Sequence, residues 1–96
     1  MARLEWDPVK NRINFRKHGV SFETAALAFE DPLSLTTFDR QVGSEERWHT
    51  IGKVGKDLLL LVVHTVREEE DTETFRIISA RKATPSERRH YEEAEY

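Results

Sequence analysis

"LLLLVVHTVREEEDTETFRIISARK", Leu58–Lys82, decides the fold. Its first half, Leu58–Val66, begins with an unbroken apolar run, the pattern of a central strand covered on both faces. The run is far too short to cross a bilayer as a helix. Residues 68–73, EEEDTE, then bring five acidic side chains and no basic one, which marks a solvated turn. Thr74–Ala80 is apolar again and alternates, so the two runs form an antiparallel hairpin.

Reading outward from this hairpin gives the remaining elements. Towards the C-terminus, Thr84 is an N-cap, Pro85 occupies the first helical position and Glu87 stands three residues after the cap, a capping box that starts a last helix. Towards the N-terminus, Arg47–Val54 reads as a strand joined to Leu58 by the turn Gly55-Lys56-Asp57, Leu33–Phe38 as another strand, and Asp39–Glu46 as the polar loop between them. Leu4–Trp6 is a possible short first strand. Asp7 and Pro8 start a helix that runs to His18 and stops at Gly19, with Val9, Ile13 and Phe15 expected inside and Lys10, Arg12, Arg16 and Lys17 outside. Ser21 caps a second helix, which carries Phe22, Ala25, Ala26, Leu27, Ala28 and Phe29 and ends before Asp31-Pro32. The expected class is α+β: an antiparallel meander of about four strands plus the possible N-terminal one, two N-terminal helices and a C-terminal helix. The 96 residues suffice for one domain, 1–96.

The net charge of −3 argues mildly against nucleic acid, but the charge is patchy. Arg76–Tyr91 has five Lys/Arg against one Glu, and residues 1–20 have five against two acids. The chain has no cysteine, which excludes disulfides and thiolate metal sites and fits a reducing compartment. "MARLEWDPVK" lacks the apolar core of a signal peptide, so a cytoplasmic location with no membrane partner is expected.

Two blocks in the correct order, LEWDPVKNRINFRKHGVSFETAALAFEDP and RIISARKATPSERRHYE, resemble the BrnT family, toxins of bacterial type II toxin–antitoxin modules. The most specific parts are Glu5-Trp6-Asp7, Lys17-His18-Gly19-Val20, Phe22, Asp31-Pro32 and Arg76–Ala83. The resemblance implies a RelE-like fold, an RNA-cleaving activity that arrests translation, and a cognate BrnA-type antitoxin in a hetero-oligomer. It also implies that the complex represses its own operon, with the antitoxin supplying the DNA contacts.

The histidines, His18, His49, His64 and His90, are scattered, and no metal-ligand spacing appears; no cofactor is expected. The metal-free route to RNA cleavage uses the 2′-OH as nucleophile. The protein must accept its proton, stabilise the phosphorane and help the 5′-oxygen leave. Arginine suits the phosphorane and histidine the proton transfers. Arg67 and Arg81 are therefore the expected phosphate stabilisers and His64 the acid–base candidate, with Lys53, Lys56, Arg76 and Lys82 on the RNA backbone. Period-two alternation sets Thr65, Arg67, Ser79 and Arg81 on one face if Arg67 pairs with Phe75, and Arg76 on the other. Six residues separate Arg67 from the position opposite Arg81, roughly 20 Å at ~3.3 Å per residue, so two subsites are expected.

Each candidate also has a structural reading. Arg81-Lys82 can simply end a strand, Arg67 can pair with the acidic run, His64 can be a core histidine, His18 a helix cap, and Trp6 and Trp48 core or interface residues. Two rival functions use the same fold: a non-catalytic RNA- or ribosome-binding module, and a purely protein-binding one. The acidic run can discourage edge pairing or repel RNA from the hairpin tip.

Overall fold

The structure, a computed structural model, describes residues 2–94. Five strands form one sheet: β1 (Ala2–Trp6), β2 (Leu35–Val42), β3 (Glu45–Val54), β4 (Leu58–Glu69) and β5 (Thr72–Lys82), in the order β1-β5-β4-β3-β2. The central hairpin is β4–β5, as its apolar content requires. The expected meander from β2 to β5 is present, but the sheet is mixed: β1 lies parallel to the outer edge of β5, with Leu4 beside Phe75 and Trp6 beside Ile77. The class is α+β.

The expected loop Asp39–Glu46 is instead a tight hairpin. Val42 pairs with Glu45 across the two residues Gly43-Ser44, and Gly43 takes φ 61°, which glycine adopts without penalty. The strand was hidden because β2 is an edge, exposed along nearly its whole length, and therefore carries no apolar alternation.

Helix α1 (Pro8–His18) starts on the Asp7 cap, whose carboxylate accepts from the Val9 N–H at 2.9 Å, and ends on Gly19 at φ 71°. Its expected inner face is wrong. Val9, Ile13 and Phe15 are exposed, and the only buried residue of the helix is Asn14. The physical reason lies at the sheet edge. β1 pairs with β5 only as far as Ile77, so the outer edge of β5 is left open at Ala80. Asn14 closes it with its carboxamide: Oδ1 accepts from the Ala80 N–H at 3.1 Å, and Nδ2 donates to the carbonyls of Ala80 at 2.8 Å and Val20 at 2.9 Å. One turn earlier Asn11 Oδ1 accepts from the Phe22 N–H at 2.8 Å. The helix is fastened by amides, not by an apolar stripe.

The second helix is also shorter than expected. Regular α2 covers Phe22–Ala26, and Leu27–Glu30 tightens into a 3-10 turn that leaves Leu27 exposed. Gly52 of β3 explains the close approach: a Cβ there would stand 2.3 Å from the Ala28 carbonyl oxygen. Gly52→Ala should therefore destabilise the fold by about 1–3 kcal/mol, the range for overpacking a close-packed site. A urea melt in which this variant is as stable as the parent would refute the contact.

Helices α1, α2 and the 3-10 turn lie on one face of the sheet, over Leu60, Val62, Ile77 and Ala80. The other face is covered only at its base, where Tyr91 of α3 (Pro85–Glu93) packs with Ile51, Leu59 and Leu61. Asp31 ties this base together. Its carboxylate accepts from the Tyr91 hydroxyl at 2.6 Å, the Lys53 N–H at 2.8 Å and the Leu33 N–H at 2.9 Å. Burial opposes its ionisation, but these hydrogen bonds outweigh burial and hold its pKa below the ordinary value. Because α3 stops at the base, the distal half of this second face stays open.

Candidate active site

The open half-face is where the arginines gather, and a bulge puts them there. Arg67 pairs with Thr74, one residue away from the register that alternation requires for a common face with Ser79 and Arg81. The ladder then shifts between Val63 and His64: His64 faces Ile77 and Val63 faces Ser79, leaving Ile78 as an extra residue in β5. The bulge resets the alternation. Arg76, expected on the opposite face from Arg81, thus joins Thr65, Arg67, Ser79 and Arg81 on one face.

One row crosses four strands of this face. Arg47 lies opposite Thr65, Thr65 opposite Arg76, and Arg76 beside Glu5. Arg67 stands one step distal on β4, and His49 one step proximal on β3, opposite Val63. At ~4.8 Å between strands and ~6.6 Å per two residues, these groups fall within roughly 10–15 Å of each other at the backbone, which their side chains can bridge. Glu5 organises the row: its carboxylate accepts from Arg76 Nη1 at 3.0 Å and lies 3.9 Å from Arg67 Nη2. Arg67 also donates to Glu69 at 2.6 Å, and Arg47 to Glu45 at 3.2 Å. The Glu69 bond, then its charge, raise the Arg67 pKa, so its charge is permanent. Arg67 and Arg76 remain about half exposed. Such half-exposed pairs are screened by water and weak enough for a phosphate to displace the carboxylates. A depression of about 400 Å³ adjoins the row, with Thr65 and Arg67 on one side and Gln41, Ser44 and Glu45 on the other.

The remaining expected residues lie elsewhere. Arg81 stands opposite Leu61 at the base, six residues of β4 from Arg67, or roughly 20 Å. Its guanidinium is occupied by a bidentate pair with Glu87, at 2.8 and 2.9 Å. Lys82 alternates to the other face, opposite Leu60, so the basic pair is split. Lys53 pairs with Leu59 on the Arg81 side of the sheet, and Lys56 sits in the exposed turn. The base therefore carries a diffuse second group of cations.

His64 does not have the geometry of an acid–base group for this face. It is fully buried on the opposite side, stacked on Phe75 at 5.2 Å and edge-on to Phe29 at 5.0 Å. Its Nδ1 donates to the Thr65 carbonyl at 3.4 Å, because a carbonyl can only accept, and its Nε2 accepts from Thr50 Oγ1 at 2.8 Å. Burial, against the Thr65 hydrogen bond, pushes its pKa down to about 4. Arg47, His49 and Glu5 were not among the expected site residues. Arg47 and His49 carry a period-two signal, since they alternate along β3 with Ile51; Glu5 carries none, because its parallel neighbour is not readable from local sequence.

These placements predict an acid profile in two windows. A buried histidine with a depressed pKa leaves the unfolded chain binding more protons, so stability falls as pH drops from about 6.5 through 4. Glu87, held down to about 2 first by the Arg81 hydrogen bonds, adds a loss between about 4.5 and 2. In melts across this range, His64→Phe should flatten the upper window and Glu87→Gln the lower; unchanged slopes would contradict the assignment. Among the described residues no three His, Asp or Glu side chains come together as metal ligands.

This site sits in a chain whose residues 6–87 match the family profile of the ribonuclease toxin, BrnT, of type II toxin–antitoxin systems. The chain belongs to the BrnT family. Among solved structures it is similar to the Brucella abortus ribonuclease toxin, BrnT, with 27% identity over 88% of this chain and 99% of that one, and a TM-score of 0.63. Comparison with curated proteins returns no match. The matched span includes β2 to β5 and the whole arginine row apart from Glu5. The family is one of ribonuclease toxins of type II toxin–antitoxin systems, which implies an RNA target and an antitoxin partner.

Proposed function

We propose that the chain is an endoribonuclease that cleaves RNA through the substrate's own 2′-OH, on the distal half-face of the sheet. The observation that carries this reading is the row Arg47–Thr65–Arg76–Glu5, flanked by Arg67 and His49. In the reaction the 2′-oxygen loses its proton and attacks the adjacent phosphorus, and the P–O bond to the 5′-oxygen breaks. A 2′,3′-cyclic phosphate and a 5′-OH result. Arg67 and Arg76 donate to the non-bridging oxygens as their charge grows, which is where fixed cations stabilise most. Thr65, nearly buried between them, fixes their spacing. His49 is the proton-transfer group on this face, with Glu5 as the carboxylate that aligns both arginines until the phosphate arrives. Arg81, Lys53, Lys56 and Lys82 steer the rest of the strand from the base and its far side, consistent with an RNA that spans two subsites.

In this reading the cleavage of RNA arrests translation in the cytoplasm, the neutralising partner is a BrnA-type antitoxin, and any DNA contact belongs to the complex with that antitoxin, which represses the operon. No helix is long and apolar enough to cross a membrane among the described residues. An RNA oligonucleotide that the protein cuts should become inert when the nucleotide 5′ of the scissile phosphate lacks its 2′-OH. Cleavage of that deoxy substrate, or a product with a 3′-OH, would overturn the 2′-OH mechanism.

A further inference from the structure

The outer face of α1 is basic and apolar at once, and nothing in the fold uses it. Val9 is 51% exposed, Ile13 56% and Phe15 57%. At ~100° per residue, Val9 and Ile13 lie together roughly 100–140° round from Asn14, with Arg12 and Arg16 along the flank opposite Asn14 and Lys10 and Lys17 along the other, and Phe15 lies beyond the two arginines. The helix contains no acidic residue. Among the described residues no carboxylate pairs with any of these four cations, although Arg40, Arg47, Arg67, Arg76 and Arg81 of the sheet each have one. Two depressions border the helix: one of about 310 Å³ beside Arg12, Phe15 and Arg16, and one of about 190 Å³ beside Lys10, Ile13 and Lys17. The helix does not need these apolar side chains for its own docking, which Asn11 and Asn14 perform.

We infer that the outer face of α1 is the docking surface for an acidic amphipathic segment of the antitoxin. This rests on the toxin–antitoxin reading above. Charge complementarity selects the occupant: aliphatic residues over Val9 and Ile13, and carboxylates on both basic flanks. RNA would satisfy the cations but gain nothing from Val9 and Ile13. A second copy of this chain, paired symmetrically, would set four unneutralised cations against four more. The surface lies on α1, not on the arginine row, so an antitoxin seated here anchors without touching the chemistry and leaves the rest of its chain free to cover the row.

The test uses the full chain co-expressed with the polypeptide encoded beside it in the genome. In the purified complex, amide exchange over 8–18 should slow at least about tenfold relative to the free chain. Ile13→Asp and the double variant Arg12→Glu/Arg16→Glu should each weaken the complex roughly 100-fold, while free-chain RNA cleavage and melting stay at parental values. A complex that forms with α1 unprotected and both variants binding normally overturns this docking surface and leaves the proposed function standing. Variants that keep the partner but lose RNA cleavage make α1 a substrate surface and overturn it too. Failure of any complex to form removes the antitoxin reading itself.

Discussion

Arg76→Ala is expected to lower RNA cleavage by about 10²–10³-fold under single-turnover conditions, the scale for removing one donor to a developing oxyanion. The melting point should move little, because the Arg76–Glu5 pair is 40% and 34% exposed and contributes at most about 1 kcal/mol to the fold. Arg67→Ala should act alike, since the same Glu5 carboxylate lies against both guanidinia. Arg76→Lys should recover only part of the rate: it keeps the charge but loses the planar fork. Arg81→Ala is the contrasting variant. Its guanidinium clasps Glu87, whose other hydrogen bonds form the capping box of α3, so this change should loosen α3 and cost stability while leaving cleavage within about tenfold. Full activity in Arg76→Ala beside an inactive but folded Arg81→Ala would place the chemistry at the base of the sheet instead.

That contrast shows how much of the site was legible. Arg67 and Arg76 were visible as cations on the last two strands, and their separation from Arg81 followed from rise per residue alone. Their common face was not legible, because it depends on one extra residue at Ile78, in a run (Ile77-Ile78) where no local signal marks a bulge. His64 misled for the opposite reason. A histidine in an apolar strand has a favourable intrinsic pKa for catalysis, yet the same burial that makes the strand central also drives that pKa down to about 4. Arg47 and His49 lie on the strand expected over Arg47–Val54 and alternate with Ile51, but only the long-range register beside β4 brings them to the arginines.

The fold was legible wherever a rule is local. The caps at Asp7, Ser21 and Thr84, the Gly19 stop and the turn at residues 55–57 all involve neighbours within four positions, and all are present. It was illegible where a long-range partner decides: the parallel pairing of β1, the Gly52–Ala28 approach and the orientation of α1. An acidic run read as one turn likewise divides across the sheet. Glu69 pairs with Arg67, while Glu68 and Glu73 face each other directly on the opposite side.

The orientation of α1 carries the largest stability effect. Asn14→Leu keeps the same branching and heavy-atom count and improves helix propensity, and an apolar-stripe reading of α1 would make it favourable at a buried position. The expected result is the reverse: a loss of about 3–5 kcal/mol. The substitution strands the Ala80 N–H, the Ala80 carbonyl and the Val20 carbonyl together, and each buried polar group left without a partner costs about 1–3 kcal/mol, less than additively. At ~4–8 °C per kcal/mol for a domain of this size, the melting point should fall by roughly 12–40 °C. Asn14→Asp separates the components: it retains an acceptor for the Ala80 N–H but presents carboxylate oxygens to two carbonyls, so it should be at least as damaging at neutral pH and milder in acid, where the protonated acid can donate again. Ile13→Asn, one residue away and 56% exposed, should change stability by less than about 0.5 kcal/mol. If Asn14→Leu melts within about 1 kcal/mol of the parent while Ile13→Asn does not, α1 is held by its apolar side chains after all, and the open edge of β5 at Ala80 has some other partner.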